Sequence, residues 1–435
     1  MSRPPLLVRL NGRPVAELID AGGMCGLTYL PEVAAINPGA YLLSVRLPVR
    51  KEPYAATQGP QAFLDGLLPE GWMRDQLASN ARINRDDTYA MLARYGGDCA
   101  GAVSITDPDT QPSTPGVRWL NTDELTETIR HLRFAPLGDG TDVTVRLSLG
   151  GMQEKLVAVI EEGKVGIPTG DHPSTHILKP SPLEPDGSEL YAGIAVIEHL
   201  CISLAGRMAD VDGHRIDGIG FAAPRTDLIR IADREVLVVE RFDRTIVDGE
   251  LQRLHTEDGC QILGLAPTVK YEQGGNPRTP SLARIATMVR DVGADPALDL
   301  RALLQQVAFT VCVGNADLHA RNLTVLHDRG VRLAPMYDVA VTVSFSDVNR
   351  ELGLRIGGAY HLDDVTGGHL LAEAATWKIG AKSARRAVET CCESVRAHVD
   401  EVADKIRDAG HTSDAFERSV QEIHRRTSHL ATSLD

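Results

Sequence analysis

Asp317, Asn322 and Asp338 are the residues of this 435-residue chain whose types and spacing point most directly to chemistry. They fall in Asn315-Ala-Asp317-Leu-His319-Ala-Arg321-Asn322 and in Met336-Tyr337-Asp338. In ATP-dependent phosphotransferases a loop aspartate takes up the proton of the acceptor hydroxyl. An asparagine further along the same loop holds magnesium, and a second aspartate chelates magnesium bridging the phosphates. Asp317, Asn322 and Asp338 fit those three roles in chain order.

The spacing has a physical reading of its own. Leu323-Thr-Val-Leu326 reads as a strand, His327-Asp-Arg-Gly330 carries turn chemistry, and Val331-Arg-Leu333 reads as the returning strand. A hairpin brings its ends together, so Asn322 and Asp338 are expected at one end, able to share a cation. Upstream, Leu300, Leu303, Leu304, Val307, Ala308 and Val311 recur at helical spacing, and Gly314 stands where such a helix would stop. Asp317 is therefore expected on a loop that follows a buried helix. Taken singly, Asp317 and Asp338 read equally well as turn and cap carboxylates. Asn322 and the hairpin together favour phosphotransfer.

The elements that must position these residues divide the chain. Leu6–Leu10 and Tyr41–Leu47 read as strands, with helices near Gln61 to Leu68 and Thr88 to Tyr95. The turn-rich Thr106-Asp-Pro-Asp-Thr-Gln-Pro-Ser-Thr-Pro115 marks a boundary, strand signals dominate from Val143 to about Arg244, and helical signals dominate from about Ser281. Val388, Cys391, Val395, Val399, Val402 and Ile406 trace a long amphipathic helix. The expected fold is α+β and two-lobed like a protein kinase, with an N-terminal β-rich subdomain and a mostly helical C-terminal lobe. The expected domains are 1–108, a strand-rich nucleotide-binding lobe over 109–245, and a helical catalytic lobe over 246–435.

The strand-rich lobe must hold a nucleotide. Ser148-Leu-Gly150-Gly151-Met152-Gln153-Glu154-Lys155 joins the expected strand Val143–Leu147 to the apolar run Leu156–Ile160. Two glycines there let backbone N–H groups approach phosphate oxygens, although the segment is neither GxxxxGK[ST] nor a full GxGxxG. A plain hairpin turn is the competing reading. Thr175-His-Ile-Leu-Lys179 ends a strand in a lysine suited to phosphate, and Glu198 is a candidate to orient it. Val236-Leu-Val-Val-Glu240-Arg241-Phe242 runs from an apolar strand into charge where the lobes should join, so Glu240 to Phe242 are expected to contact adenine through backbone groups, with an ordinary buried strand ending at the surface as the competing reading.

Composition sets the outer bounds. A hydrophobic content of 43% suits a globular protein with substantial cores, and no stretch approaches a membrane span. The formal net charge of -14 disfavours a protein that coats nucleic acid by itself, since phosphate binding needs concentrated Lys and Arg. Lys378, Lys382, Arg385 and Arg386 form a local basic cluster that reads first as a solvated helix face. The start, Met1-Ser-Arg-Pro-Pro-Leu, lacks a basic segment followed by an apolar core, and the seven cysteines include no CxxC pair. A cytoplasmic location without structural zinc or disulfides is expected.

With these segments in order, the chain resembles the HipA family of bacterial serine/threonine kinase toxins. The resemblance rests on Gly66-Leu-Leu-Pro69, Gly101-Ala-Val103, the segment from Ser148 to Lys155, Thr175 to Lys179 and Val239-Glu-Arg-Phe-Asp-Arg244. It continues through Glu257-Asp-Gly-Cys-Gln261, Val269-Lys-Tyr-Glu272, Asp317 to Asn322 and Pro335-Met-Tyr-Asp338. It implies a protein kinase using ATP and magnesium, with Asp317 as proton acceptor. Gly150 to Lys155, Lys179, Glu240 to Phe242, His319, Ala320, Arg321, Asn322, Tyr337 and Asp338 would line the nucleotide site. Ser148 matches the family's autophosphorylated serine, where added negative charge would expel the phosphate loop. The family further implies a translation component such as an aminoacyl-tRNA synthetase as substrate. It also implies a small HipB-like helix-turn-helix antitoxin that carries most of the DNA contact. Met152, bulky in a phosphate loop, and a lengthened connection over Leu183 to Tyr191 depart from the family pattern. Two rival readings stand beside this one: a small-molecule phosphotransferase like those acting on aminoglycosides or choline, and an inactive module that bridges antitoxin and operator.

Overall fold

The computed structural model describes residues 3–109, 114–138, 153–184, 188–208, 223–231, 233–346 and 348–434. The chain divides into two compact units. One comprises Met1–Pro180, Ile231–Asp233 and Asp243–Thr268, and the other Ser181–Arg230, Arg234–Phe242 and Val269–Asp435.

The first unit opens with β1 (Leu6–Leu10), β2 (Arg13–Ala21) and β3 (Met24–Tyr29), an antiparallel meander. Four helices follow, α1 (Pro31–Ile36), α2 (Pro60–Gly66), α3 (Gly71–Ala81) and α4 (Thr88–Tyr95), before β4 (Val103–Thr106) returns beside β1. Alternation turns Leu6 and Val8 inward, where they join Leu18, Leu27, Phe63 and Tyr95 in one core. Asp87 starts α4 by accepting the Ala90 N–H at 2.9 Å.

Tyr41–Leu47, expected as a strand, is not one. Leu43, Val45 and Leu47 are buried, but so is Ser44 between the first two, and the backbone turns, with Leu47 N–H donating to the Ser44 carbonyl at 3.0 Å. Val45 N–H donates to the Glu257 carboxylate at 3.0 Å, so the hydrogen bonds that a ladder would use are taken elsewhere.

Further along, β5 (Gly116–Trp119) and α5 (Thr122–His131) precede β6 (Leu156–Glu161), β7 (Lys164–Thr169) and β8 (His176–Pro180). β7 lies antiparallel between β5 and β6, and β6 lies antiparallel to β8. The β6–β7 turn is Glu162-Gly163, both with φ in the left-handed region (48° and 75°), the conformation that two-residue hairpins demand.

The second unit contributes α6 (Ile194–Ala205) and the neighbouring strands β9 (Thr226–Ile231) and β10 (Arg234–Glu240). The first unit then resumes with the hairpin β11 (Arg244–Val247) and β12 (Glu250–Arg253), followed by β13 (His255–Asp258) and α7 (Gly259–Leu263). Thereafter the chain is mostly helical: α8 (Leu282–Val292), α9 (Pro296–Val313), the strands β14 (Thr324–His327) and β15 (Val331–Leu333), then β16 (Glu351–Ile356), β17 (Ala359–His361), α10 (Gly367–Thr376), α11 (Ala381–Asp408) and α12 (Asp414–Thr432).

α9 is the axis of this unit. Asp295 caps it and Pro296 occupies its first turn, where a missing N–H costs nothing. Every residue from Leu303 to Val313 is buried, because α8, α11 and α12 pack around it. Each fully buried leucine there stabilises the fold by about 1.5–3 kcal/mol before entropy is counted. Two buried polar side chains on α9 find partners: Gln306 donates to the Ala334 carbonyl at 3.0 Å, and Thr310 to the Gln306 carbonyl one turn back at 2.9 Å. Arg385 and Arg386 pair loosely with Glu389 and Glu393 of α11, both at 3.9 Å, as a solvated helix face does. All seven cysteines are free thiols, and among the described residues no helix is long and apolar enough to cross a membrane.

Candidate active site

Gly314 ends α9 in the left-handed conformation (φ 77°), which turns the chain sharply into the loop that carries Asp317. Nearly every step of this loop is tied down. Asp317 N–H donates to Asn315 Oδ1 at 2.9 Å, Ala316 N–H to Thr342 Oγ1 at 2.8 Å, and Ala320 N–H to the Lys270 carbonyl at 3.0 Å. Asn322 and His319 lock reciprocally: Asn322 N–H donates to the His319 carbonyl, and His319 N–H to Asn322 Oδ1, both at 3.0 Å.

β14 and β15 form the expected hairpin, pairing Val325 with Leu333 and His327 with Val331. It returns the chain so that the Asn322 amide donates to Asp338 Oδ2 at 3.2 Å. Asp338 is solvent-exposed and adopts φ 56°, a conformation an L-residue other than glycine rarely holds without cause. Tyr337, between them in sequence, donates its hydroxyl to the Arg321 carbonyl at 2.5 Å and receives the Thr324 hydroxyl at 2.7 Å. Its ring meets Phe242 with centroids 5.4 Å apart. The second unit thus gathers Asp317, His319, Ala320, Arg321, Asn322, Tyr337 and Asp338, with Phe242 against Tyr337 and with Glu240 and Arg241 immediately before it.

Asp317 keeps its surface open to solvent, yet the density of protein around it pushes its carboxyl above the usual carboxylate range. A hydrogen bond from Tyr271 pulls the other way, the Asp338 charge pushes further up, and Lys270 draws it down. Tyr271 is a residue for which sequence reasoning offered no role. Its hydroxyl donates to Asp317 Oδ1 at 3.0 Å from 46 residues upstream, and no local pattern signals such a contact. Gly353 was also missed: its N–H donates to the Ala316 carbonyl and its own carbonyl accepts the Glu272 N–H, both at 2.9 Å.

In the first unit, Leu156 of β6 pairs with Leu178 of β8, and one residue beyond that pair stand Lys155 and Lys179. Lys155 is buried, as is Glu154, whereas Gln153 and Lys179 are half-buried. Ser148, Gly150, Gly151 and Met152, like the expected strand Val143–Leu147, lie outside the described residues. Glu198 is buried in α6.

Among the described residues, no group of three or more His, Cys, Asp and Glu side chains is placed to hold a metal. Asn322 and Asp338 are instead two hard oxygen donors within one hydrogen bond of each other, and what Asp338 Oδ2 holds is an amide N–H. Asn322 Oδ1 has a second lone pair besides the one given to His319. One carboxylate and one amide are oxygen donors of the hard type that magnesium takes.

Two family models cover the chain: HipA N-terminal domain over residues 6–106 and HipA-like C-terminal domain over 147–402. A Sinorhizobium fredii protein named "Putative kinase Y4mE" is 31% identical over 98% of this chain and 95% of its own length. The Shewanella oneidensis "Serine/threonine-protein kinase toxin HipA" is 27% identical over 68% of this chain and 66% of its own. In structure, the chain is similar to one in a Shewanella oneidensis complex of HipA, HipB and operator DNA, with a TM-score of 0.77 at 21% identity, covering 99% of this chain and 96% of that one. The fold is accordingly α+β and two-lobed in the kinase manner, as the sequence led one to expect. The two family models and the near full-length relative agree, and the chain belongs to the HipA family.

Proposed function

We propose that this chain is an ATP- and magnesium-dependent serine/threonine protein kinase, acting as the toxin of a toxin–antitoxin pair. The observation that carries the reading is the approach of Asn322 to Asp338 beside a loop that fixes Asp317. In this reading Asp317 orients the acceptor hydroxyl and takes up its proton, and Asn322 with Asp338 holds magnesium. The chemistry magnesium supplies when bound is neutralisation of phosphate charge. Phosphoryl transfer asks little covalent work of a protein, so rigid placement of Asp317 accounts for much of the expected rate.

Nucleotide-contacting roles are assigned residue by residue on the family likeness. Lys155 and Lys179 stand one step beyond a paired strand position and are the cations assigned to the phosphates. Phe242 and Tyr337 offer ring surface to adenine, and the backbone of Glu240 to Phe242 offers it hydrogen bonds. Gly150, Gly151, Met152, Gln153 and Glu154 are assigned to the phosphate loop on the family likeness, and Ser148 to autophosphorylation. A translation component, an aminoacyl-tRNA synthetase in particular, is the proposed substrate. The Shewanella complex supports a HipB-like antitoxin as partner, with DNA reached mainly through it, and a cytoplasmic location is part of the same proposal.

The test is incubation of the chain with labelled ATP, magnesium and a cell lysate, followed by identification of the labelled proteins and of the labelled residue in the chain itself. Labelled protein serines, Ser148 among them, are expected. Turnover of a small hydroxylated acceptor without protein labelling would replace this reading with the small-molecule one. ATP binding without any transfer would leave only the bridging role.

A further inference from the structure

Tyr271 stands where a phosphotransferase site has need of a fixed donor. Its hydroxyl donates to Asp317 Oδ1 at 3.0 Å, so one of the two carboxylate oxygens is engaged. The ring is held on two sides: His319 meets it edge-on with centroids 5.3 Å apart, and Lys270 Nζ lies 5.5 Å from its centre. The backbone on either side is clamped as well. The Lys270 carbonyl accepts the Ala320 N–H of the Asp317 loop at 3.0 Å, and Glu272 N–H donates to Gly353 at 2.9 Å. Glu272 in turn accepts the Arg355 N–H at 2.9 Å. A tyrosine that merely filled space would need none of this, and Tyr271 is 43% exposed, so it fills no core.

We propose that Tyr271 is a positioning residue for phosphoryl transfer, which holds the Asp317 carboxylate in one rotation so that its second oxygen meets the acceptor hydroxyl. The proposal rests on the kinase reading above and deepens it. The same hydrogen bond favours the ionised form of Asp317, the form a proton acceptor needs. Tyr271 touches neither nucleotide nor magnesium in this scheme, so its effect belongs to the transfer step and not to ATP binding.

The test uses the full chain with Tyr271→Phe, which keeps the ring on His319 and removes only the donor. Labelled ATP and magnesium report transfer to the chain itself and to dephosphorylated casein. A fall in kcat of about 10- to 100-fold is expected, the range a small misplacement at a reacting group produces, with KM for ATP within about threefold. Tyr271→Phe introduced into an Asp317→Asn background, followed in single turnover, should lower the rate little further, since the group it orients has already been changed. Unchanged kcat in Tyr271→Phe would overturn the positioning role alone, and so would kcat and KM worsening together with a lowered melting temperature. Absence of transfer by the unaltered chain would overturn the kinase reading and this role with it.

Discussion

The Asn322 amide donates to Asp338 Oδ2 at 3.2 Å across the open end of the β14–β15 hairpin, and Asp338 adopts a left-handed backbone to receive it. Strain of this kind, on the order of 1 kcal/mol for a non-glycine residue, persists only where something else selects it. Asp338→Ala and Asp338→Gly should therefore separate chemistry from stability. Both should lose phosphate transfer by on the order of a thousandfold, as expected for removal of a magnesium carboxylate. The glycine variant should unfold at higher denaturant than the alanine variant, by about 1 kcal/mol, because glycine adopts this conformation without strain. Equal urea midpoints would remove the strain argument, and retained transfer would remove the metal role.

Gly353 links the Asp317 loop to the segment that carries Tyr271. A Cβ added there would lie 2.6 Å from the Leu318 carbonyl oxygen and 2.9 Å from its carbon, closer than real contacts allow. Gly353→Ala should push the loop aside and lower kcat by about 10- to 100-fold while the far-ultraviolet dichroism stays native. Gly380→Ala is the matched control, since a Cβ there meets nothing within 4 Å. Wild-type turnover in Gly353→Ala would show that the loop yields freely.

Phe242 and Tyr337 make the ring contact assigned to the adenine side. Phe242→Ala should raise KM for ATP about two- to tenfold, in line with the worth of one aromatic contact, and leave kcat nearly unchanged. A loss confined to kcat would place Phe242 outside the nucleotide site.

Asp299, buried in the first turn of α9, accepts the Leu333 N–H at 3.1 Å, and burial pushes its carboxyl up to about 6 from 3.8. The folded state therefore binds a proton more tightly than the unfolded state between those values. Stability gained from this group is present at low pH and is lost as pH rises through 6. Asp299→Asn carries no such charge. Its stability relative to wild type should rise by roughly 2–3 kcal/mol between pH 4.5 and pH 8, measured as urea midpoints. A difference independent of pH would mean that Asp299 is ionised in the fold at no cost.

What the sequence made legible is what local chemistry controls. The hairpin could be read because alternation and a Gly-containing turn coincide over a few residues, and the end of α9 because Gly314 supplies the left-handed cap. Asp317, Asn322 and Asp338 followed from those two elements. Tyr41–Leu47 misled because a run of apolar side chains does not require a ladder when Glu257 and Ser44 take the backbone hydrogen bonds. The Tyr271 contact to Asp317 could not be read at all, since it depends on tertiary placement of an exposed side chain with no period around it.

The burial of α9 from Leu303 to Val313 has a consequence for how the molecule fails under heat. A loop anchored to a peripheral helix can fray and inactivate an enzyme well below its melting temperature, whereas this loop springs from the wholly buried stretch Leu303–Val313. Amide protons of α9 should be among the slowest to exchange, and catalytic half-life on heating should track cooperative unfolding of that unit and not any earlier loosening.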